Sequence, residues 1–443
     1  ASQVPARLDA FSGAGSGTPG DPYVVTSAEQ LQEMRDDRMA HYILGCDIDA
    51  AATAAWNGGG GFEPVGAGGW DASFGGTLDG KGHTIDRLYI DRQDGGEIAL
   101  FARTDSAVIS NLRLRRVVVR GRGSWAESAG LVAYCWETTI SNCSVSGSIS
   151  SSGSAGGLVG NAFYSVLRSC YSSGSVAGNN DVGGLVDHSN LSEVIDSFSA
   201  CSVMGNHSVA GLVGEAWDTP IARCFATGRI LGRDSTVGGL IGHGSHNNEV
   251  VDSYWDAEVT GQTTSGESDP SFGKTTAEML QRTTFGGWDF GSTWTNIEGV
   301  TYPWLQSLPP PSSPIMLNAS VSGSGTAEFR TFDGAVMTNV TASTSPVVVS
   351  IFPWQPVVLV GTGDSGQAFA QWAGDGFDAD HGLAANPASC AWGESPTIVS
   401  QFLPGAIEIA SIEALQQIGR GLDRPLHWHY RLTQDLDASG TAG

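Results

Sequence analysis

Clusters of chemically capable side chains recur at regular intervals through the middle of the chain. They are Tyr134, Trp136 and Glu137; Asn161, Phe163 and Tyr164; Asp187, His188 and Asn190; Glu215, Trp217 and Asp218; and His243, His246 and Asn247. Aromatic rings interleaved with carboxylates and amides can stack on sugars and hydrogen-bond their hydroxyls. The ligand-binding candidates are therefore Trp136, Phe163, Tyr164, Asp187, His188, Asn190, Glu215, Trp217, Asp218, His243 and His246. A carboxylate pair such as Asp187 and Glu215 is also the equipment of acid–base glycoside cleavage. The plainer alternative is structural cover, with the rings packed along an edge of the fold.

Other chemistries find little support. No His-Glu-x-x-His zinc motif is present, so no metal site is expected. Gly363-Asp364-Ser365-Gly366 resembles a serine-protease segment but has no histidine motif upstream. Gly242-His243-Gly244 reads as a turn, and so does Asp79-Gly80-Lys81-Gly82-His83. No dinucleotide loop or calcium nonapeptide occurs in a convincing context. The expectation is no cofactor and no assigned catalytic residue.

The elements that position these clusters follow from a second pattern. Each cluster comes just after a glycine signature: Gly130-Leu131-Val132, Gly156-Gly157-Leu158-Val159-Gly160, Gly183-Gly184-Leu185-Val186, Gly211-Leu212-Val213-Gly214 and Gly238-Gly239-Leu240-Ile241-Gly242. The signature leucines are 27, 27, 27 and 28 residues apart. A fixed period of this size marks a stacked solenoid. A second segment keeps phase with it, as in Ile140 and Cys143, Leu167 and Cys170, Val194 and Ser197, Ile221 and Cys224, Val250 and Ser253. Apolar residues two and three apart among Gly and Ser predict short strands and tight turns. The fold class is thus all-β, a right-handed parallel β-helix with three strands per coil. With Ile85–Ile90 and Ile109–Leu114 included it has about seven coils, a stack of about 35 Å at strand spacing.

Ends must be covered, because a terminal coil exposes unpaired strand edges. Ser27 with Gln30 predicts a capped helix to about Arg38, then a strand over Tyr42 to Asp49. Trp288-Asp289-Phe290 and Tyr302-Pro303-Trp304-Leu305 are bulky enough to plug the far end. Cys143, Cys170 and Cys224 fall in one inward column, where only a Cys143–Cys170 disulfide is within geometric reach.

Composition narrows the partners. The chain of 443 residues carries a formal charge of -24, with Lys81 and Lys274 its only lysines. Such a surface repels nucleic acid and anionic membranes. No apolar run is long enough to span a bilayer, so neither nucleic acid nor membrane insertion is expected.

Taken together, Gly20-Asp21-Pro22-Tyr23, Phe74-Gly75-Gly76-Thr77-Leu78-Asp79-Gly80, the repeats and the closing Trp and Tyr-Pro-Trp segments resemble the GLUG-repeat family. The resemblance covers residues 20–307 and implies a large bacterial surface protein, adhesin-like or the non-catalytic part of an immunoglobulin-A peptidase. Residues 1–307 form the GLUG-type module with its N-terminal cap, and 308–314 a proline-rich linker. Residues 315–404 form a small β-rich spacer, β-grasp-like or sandwich-like. Its Phe369-Ala370-Gln371-Trp372 and Asn386-Pro387 resemble a divergent internalin-type B repeat. Residues 405–443 echo 27–31 and 42–49, through Ser411-Ile412-Glu413-Ala414-Leu415 and Tyr430-Arg431-Leu432-Thr433-Gln434-Asp435-Leu436-Asp437, and read as the start of a second GLUG-type module. The expected function is a non-enzymatic structural or adhesive module, extracellular or at the cell surface, binding glycan or a surface protein. The alternatives are a polysaccharide-active β-helical enzyme and a self-associating filament or surface-layer subunit.

Overall fold

The computed structural model describes residues 11–233, 236–245, 247–266, 272–310, 314–332, 334–364, 367–374, 388–393, 397–404, 407–409 and 430–432. The chain divides into two compact units at Pro311/Ser312, with Ala391–Gly393 belonging to the first.

The first unit is a parallel β-solenoid of about seven coils. One coil begins with strand Val132–Trp136, continues through Thr139–Ser141 and Ser144–Ser151, and closes with Ser154–Gly156. Equivalent strands stack in parallel into four sheets, here I to IV in that order, of six, nine, eleven and six strands. Four strands per coil corrects the expected three. The glycine signature is not one strand: Gly156 ends a strand of sheet IV, Gly157 and Leu158 bend, and Val159 begins sheet I.

Two columns of left-handed residues turn the corners between sheets I and II and between sheets II and III. Glu137, Tyr164, Leu191 and Asp218 lie at φ 47, 52, 50 and 45°, and Asn142, Ser169, Asp196 and Arg223 at φ 50, 54, 48 and 52°. Asn and Asp adopt this conformation at low cost, bulkier residues less readily. The signature glycines answer a different need. A Cβ on Gly157 would lie 2.0 Å from the Gly184 carbonyl oxygen, and one on Gly184 2.0 Å from that of Gly211. Successive coils touch backbone to backbone there.

Val132, Val159, Val186, Val213 and Ile241 fill the interior from sheet I, and Ile140, Leu167, Val194 and Ile221 from sheet II. Cys143, Cys170 and Cys224 are buried in the same core. All seven cysteines are free, so Cys143 and Cys170 are neighbouring thiols rather than a disulfide.

The N-terminal cap is shorter than expected. Its helix spans only Ala28–Glu33, with Ser27 accepting from Gln30 N–H. Gln30 returns its side-chain oxygen to Thr26 N–H at 2.8 Å, so the box closes one residue early. The acidic pair Asp36-Asp37 opposes the helix dipole just beyond its end. Parallel strands Tyr23–Val25 and His41–Leu44 then open sheet II.

The C-terminal aromatics do not plug the last coil. Trp294 packs against Phe198 and Phe225, and Trp288 against Phe225 and Tyr254. These are outward residues of sheet III, so the segment covers a flank. They form an aromatic column that would otherwise meet water, and burying it is the larger hydrophobic gain. Fully buried Trp255, in contact with the Gly239 and Gly273 backbone, fills the end of the core instead.

The second unit contains two four-stranded sheets, Val347–Ile351, Ile315–Ser322, Thr397–Pro404, Gln367–Gly374 and Val336–Thr341, Gly325–Thr331, Val357–Gly363, Ala388–Cys390. Phe329 of one meets Trp372 of the other at 6.2 Å, a sandwich-like arrangement with no helix among its described residues. Further on, Ile407–Ile409 pairs in parallel with Tyr430–Leu432. Ile407 stands opposite Tyr430 as Tyr23 stands opposite Tyr42. The Ser411–Leu415 echo lies outside the described residues. No helix among the described residues is long and apolar enough to cross a membrane.

Candidate ligand-binding face

Sheet I carries the predicted clusters in strict register. Arg103, Tyr134, Asn161, His188, Glu215 and His243 form one outward column, and Asp105, Trp136, Phe163, Asn190, Trp217 and Ser245 a second. Five steps at strand spacing make a line of about 24 Å.

Its lower half is aromatic. Phe163 stacks with Tyr134 at 5.2 Å and with Trp136 at 6.0 Å, and Tyr164 leans on Trp136 at 4.8 Å. Rings piled this way spend their faces on one another and present edges outward. The sequence reading missed the ring that completes the pile. Trp70, half-exposed on a short helical turn, stands edge-on to Tyr134 and Trp136 at 5.1 and 6.0 Å. The Arg103 guanidinium lies between Trp70 and Tyr134, 4.8 and 5.0 Å from their centroids. Trp70 lies in an insertion outside the repeat, so no period points to it.

The upper half is polar. His188 meets Phe163 at 5.4 Å and Trp217 at 6.1 Å, ring edge to face. Trp217 Nε1 donates to Glu215 Oε1 at 2.9 Å, and His243 Nδ1 lies 3.1 Å from the same oxygen. Asp218, at the following corner, accepts from Asn247 N–H at 3.3 Å. Asn190 sits in register between Phe163 and Trp217. His246 lies outside the described residues.

Asp187 departs from the expected strip. It is only 2% exposed, at a position held elsewhere by Ala102, Ala133, Gly160, Gly214 and Gly242. The cause is the sharp bend between sheets IV and I: a Cβ on Gly156 would lie 1.8 Å from Val159 O and 2.9 Å from Asp187 N. The outer faces of the two sheets meet there in a notch. Side chains zip it at the lower coils, where Glu97 of sheet IV pairs with Arg103 and Glu127 accepts from Asn161 at 2.7 Å. One coil on, Ser154 replaces Glu127 and is too short to continue the zipper.

At that level Asp187 Oδ1 and His188 Nε2 are buried without hydrogen-bond partners. Burial, then the charges of Asp181, Glu127 and Glu215, push the Asp187 carboxyl well above the usual carboxylate range. Burial lowers His188, against the opposing pull of Glu215 and Asp181. Glu127 is raised by burial and by Glu97, an effect its Asn161 hydrogen bond reduces. Glu127 and Asp181 were not singled out from the sequence, although the aligned columns mark Asp187 as the one acid among Gly and Ala. Among the described residues, no group of three or more His, Cys, Asp or Glu is arranged to hold a metal ion.

Comparisons with known proteins speak to the fold and less to this face. No family model matches the chain. Halomucin of Haloquadratum walsbyi is 40% identical over 147 residues, 32% of this chain and 2% of that protein. A protein of Evansella cellulosilytica, provisionally named a Gly-rich membrane protein, is 42% identical over 74 residues, 16% of this chain and 8% of that protein. The chain thus spans a small fraction of the length of either relative. A crystal structure from Bacteroides ovatus, provisionally named an immunoglobulin A1 protease, superposes with a TM-score of 0.53 at 21% identity, covering 66% of this chain and 94% of that one. That likeness is one of fold: a β-solenoid of the same kind.

Proposed function

We propose that this chain is a non-enzymatic module of a surface protein, in which a rigid GLUG-type solenoid presents sheet I to a glycan. The observation that carries the reading is the register-locked line from Arg103 to His243, with Trp70 packed on its lower end and rings, amides, carboxylates and imidazoles on one outward face. Hydrogen-bonded coils hold such a line rigid, so binding costs little ordering entropy. The Halomucin and Gly-rich membrane protein relatives favour a surface setting.

Positioning suits these groups better than turnover. Asp187 lies at the floor of a notch, within reach of a protruding substituent rather than of the linkage between sugars, and Glu215 already serves Trp217 and His243. Because the stacked rings offer edges, contact falls to Trp70 and to the polar groups between Phe163 and Trp217. A glycan array of the wild type against the Trp70→Ala and Trp217→Ala variants tests this. Loss of signal in both supports the reading; binding that survives both, or no glycan bound by the wild type, overturns it.

A further inference from the structure

The notch between sheets IV and I holds more acceptors than donors. Glu127 and Asp181 enter it from sheet IV, and Asp187, His188 and Glu215 from sheet I. Its floor is Asp187, nine-tenths buried and more, whose Oδ1 has no hydrogen-bond partner. Beside it His188 Nε2 is also unpartnered. Arg103, the guanidinium on this face, is ion-paired with Glu97. A buried carboxyl without a donor is costly, and five other coils show that Ala or Gly fits its place. What is missing is a donor carrying positive charge.

An ammonium group supplies it. It brings three N–H donors and one charge, and it tolerates acceptors from several directions. A metal ion demands short, fixed ligand distances, which no group of described side chains offers. Phe163 and Trp217 flank His188, and aromatic surface favours a cation. The net charge of -24 draws cations in and turns polyanions away. The chain's two lysines are placed elsewhere: Lys81 beside Asp79 at 2.9 Å, and Lys274 over the Tyr254 ring.

We propose that the notch floored by Asp187 binds a primary ammonium group carried by an amino sugar of a glycan lying along sheet I. This rests on the reading of that face as a glycan-binding surface. An amino sugar is favoured over a lysine side chain because the outward line continues past the notch on both sides, largely aromatic below it and polar above. Its coil repeat of about 4.8 Å is close to the length of one sugar residue. Glu127, Asp181 and Glu215 hold the charge, and the carboxyl of Asp187 accepts from below.

Calorimetry with a glucosamine hexamer, the N-acetylglucosamine hexamer and poly-L-lysine tests the assignment, at a mildly acid pH that keeps the amine protonated. The glucosamine hexamer is expected to bind, and Asp187→Ala, which removes the acceptor, and Glu127→Gln each to weaken it by at least about tenfold. Glu137→Gln, an equal charge change outside the notch, should stay within about twofold. Circular dichroism establishes that each variant is folded. Equal binding of both hexamers, untouched by Asp187→Ala, overturns the ammonium site and leaves the glycan reading standing. Poly-L-lysine bound through Asp187 with neither hexamer bound overturns the amino sugar in favour of a protein lysine. No binding of any probe overturns the inference, while the array decides separately on glycans.

Discussion

Asn161 Nδ2 donates to Glu127 Oε2 at 2.7 Å, tying sheet I to sheet IV across the notch one coil below Asp187. The bond does two jobs. It braces two sheets across their shared bend, as the Glu97–Arg103 pair does lower down, and it moderates the proton affinity of Glu127. Asn161→Ala should leave a largely buried carboxyl without its donor and cost about 1–3 kcal/mol. Asn161→Asp should cost more, since it sets a second carboxylate against the first. Urea denaturation at neutral pH measures both, and an unchanged midpoint in both variants would show that the bond braces nothing.

Asp187 makes stability fall as pH rises. Its proton is held more tightly in the folded chain than in the unfolded one, where carboxyls titrate near about 3.9. Below that value the group is neutral in both states and costs no charge burial. As pH climbs from there toward the raised folded value, the unfolded state alone loses the proton, and stability is lost steadily. Asp187→Ala should remove this slope and gain about 1–3 kcal/mol at neutral pH, because a Cβ already fits at this position. Thermal melts of the two proteins across the acid-to-neutral range provide the check. A variant less stable than the wild type at neutral pH would refute the cost assigned to Asp187.

The stacked architecture was legible because a solenoid repeats its own constraints: the glycine carbonyl contact, the left-handed corners and the inward apolar residues return every 27 residues or so. Features that occur once left no such trace. Trp70 comes from an insertion outside the period. The fourth sheet hid inside the glycine signature, since a bend between two short strands and a single turn share the same residue types. The segment around Trp288 and Trp294 was recognisably a cover, but what it covers depended on which face Phe198 and Phe225 occupy. Asp187 showed the reverse problem. It clusters in sequence with His188 and Asn190, which are only partly buried, and the closeness of sheet IV buries it.

The glycine ladder carries a steric prediction. Gly184→Ala places a Cβ 2.0 Å from the Gly211 carbonyl oxygen and 2.4 Å from Ser199 Oγ. The Ser199 hydroxyl can rotate, but the backbone of the next coil cannot move without disturbing its own strand pairs. The expected cost is about 1–3 kcal/mol or more. Gly286→Ala, where nothing lies within 4 Å, should be nearly neutral. Equal melting temperatures for the two variants would mean that the coils are not held in contact at the signature.

The aromatic cover on sheet III separates packing from hydrogen bonding at one residue. Trp294 is fully buried against Phe198, Phe225 and Trp288, yet its Nε1 has no hydrogen-bond partner. Its contribution is therefore ring area, set against the cost of a desolvated N–H. Trp294→Ala removes the area and should cost about 3–5 kcal/mol, uncovering the Phe198 and Phe225 faces. Trp294→Phe keeps most of the packing and removes the orphaned donor, so the loss of volume and the relief of desolvation oppose each other. The net change should be under about 1.5 kcal/mol. Denaturant midpoints with a dye that reports exposed apolar surface distinguish the outcomes. A Phe variant as damaged as the Ala variant would mean that the indole nitrogen holds the cover through a bonded partner.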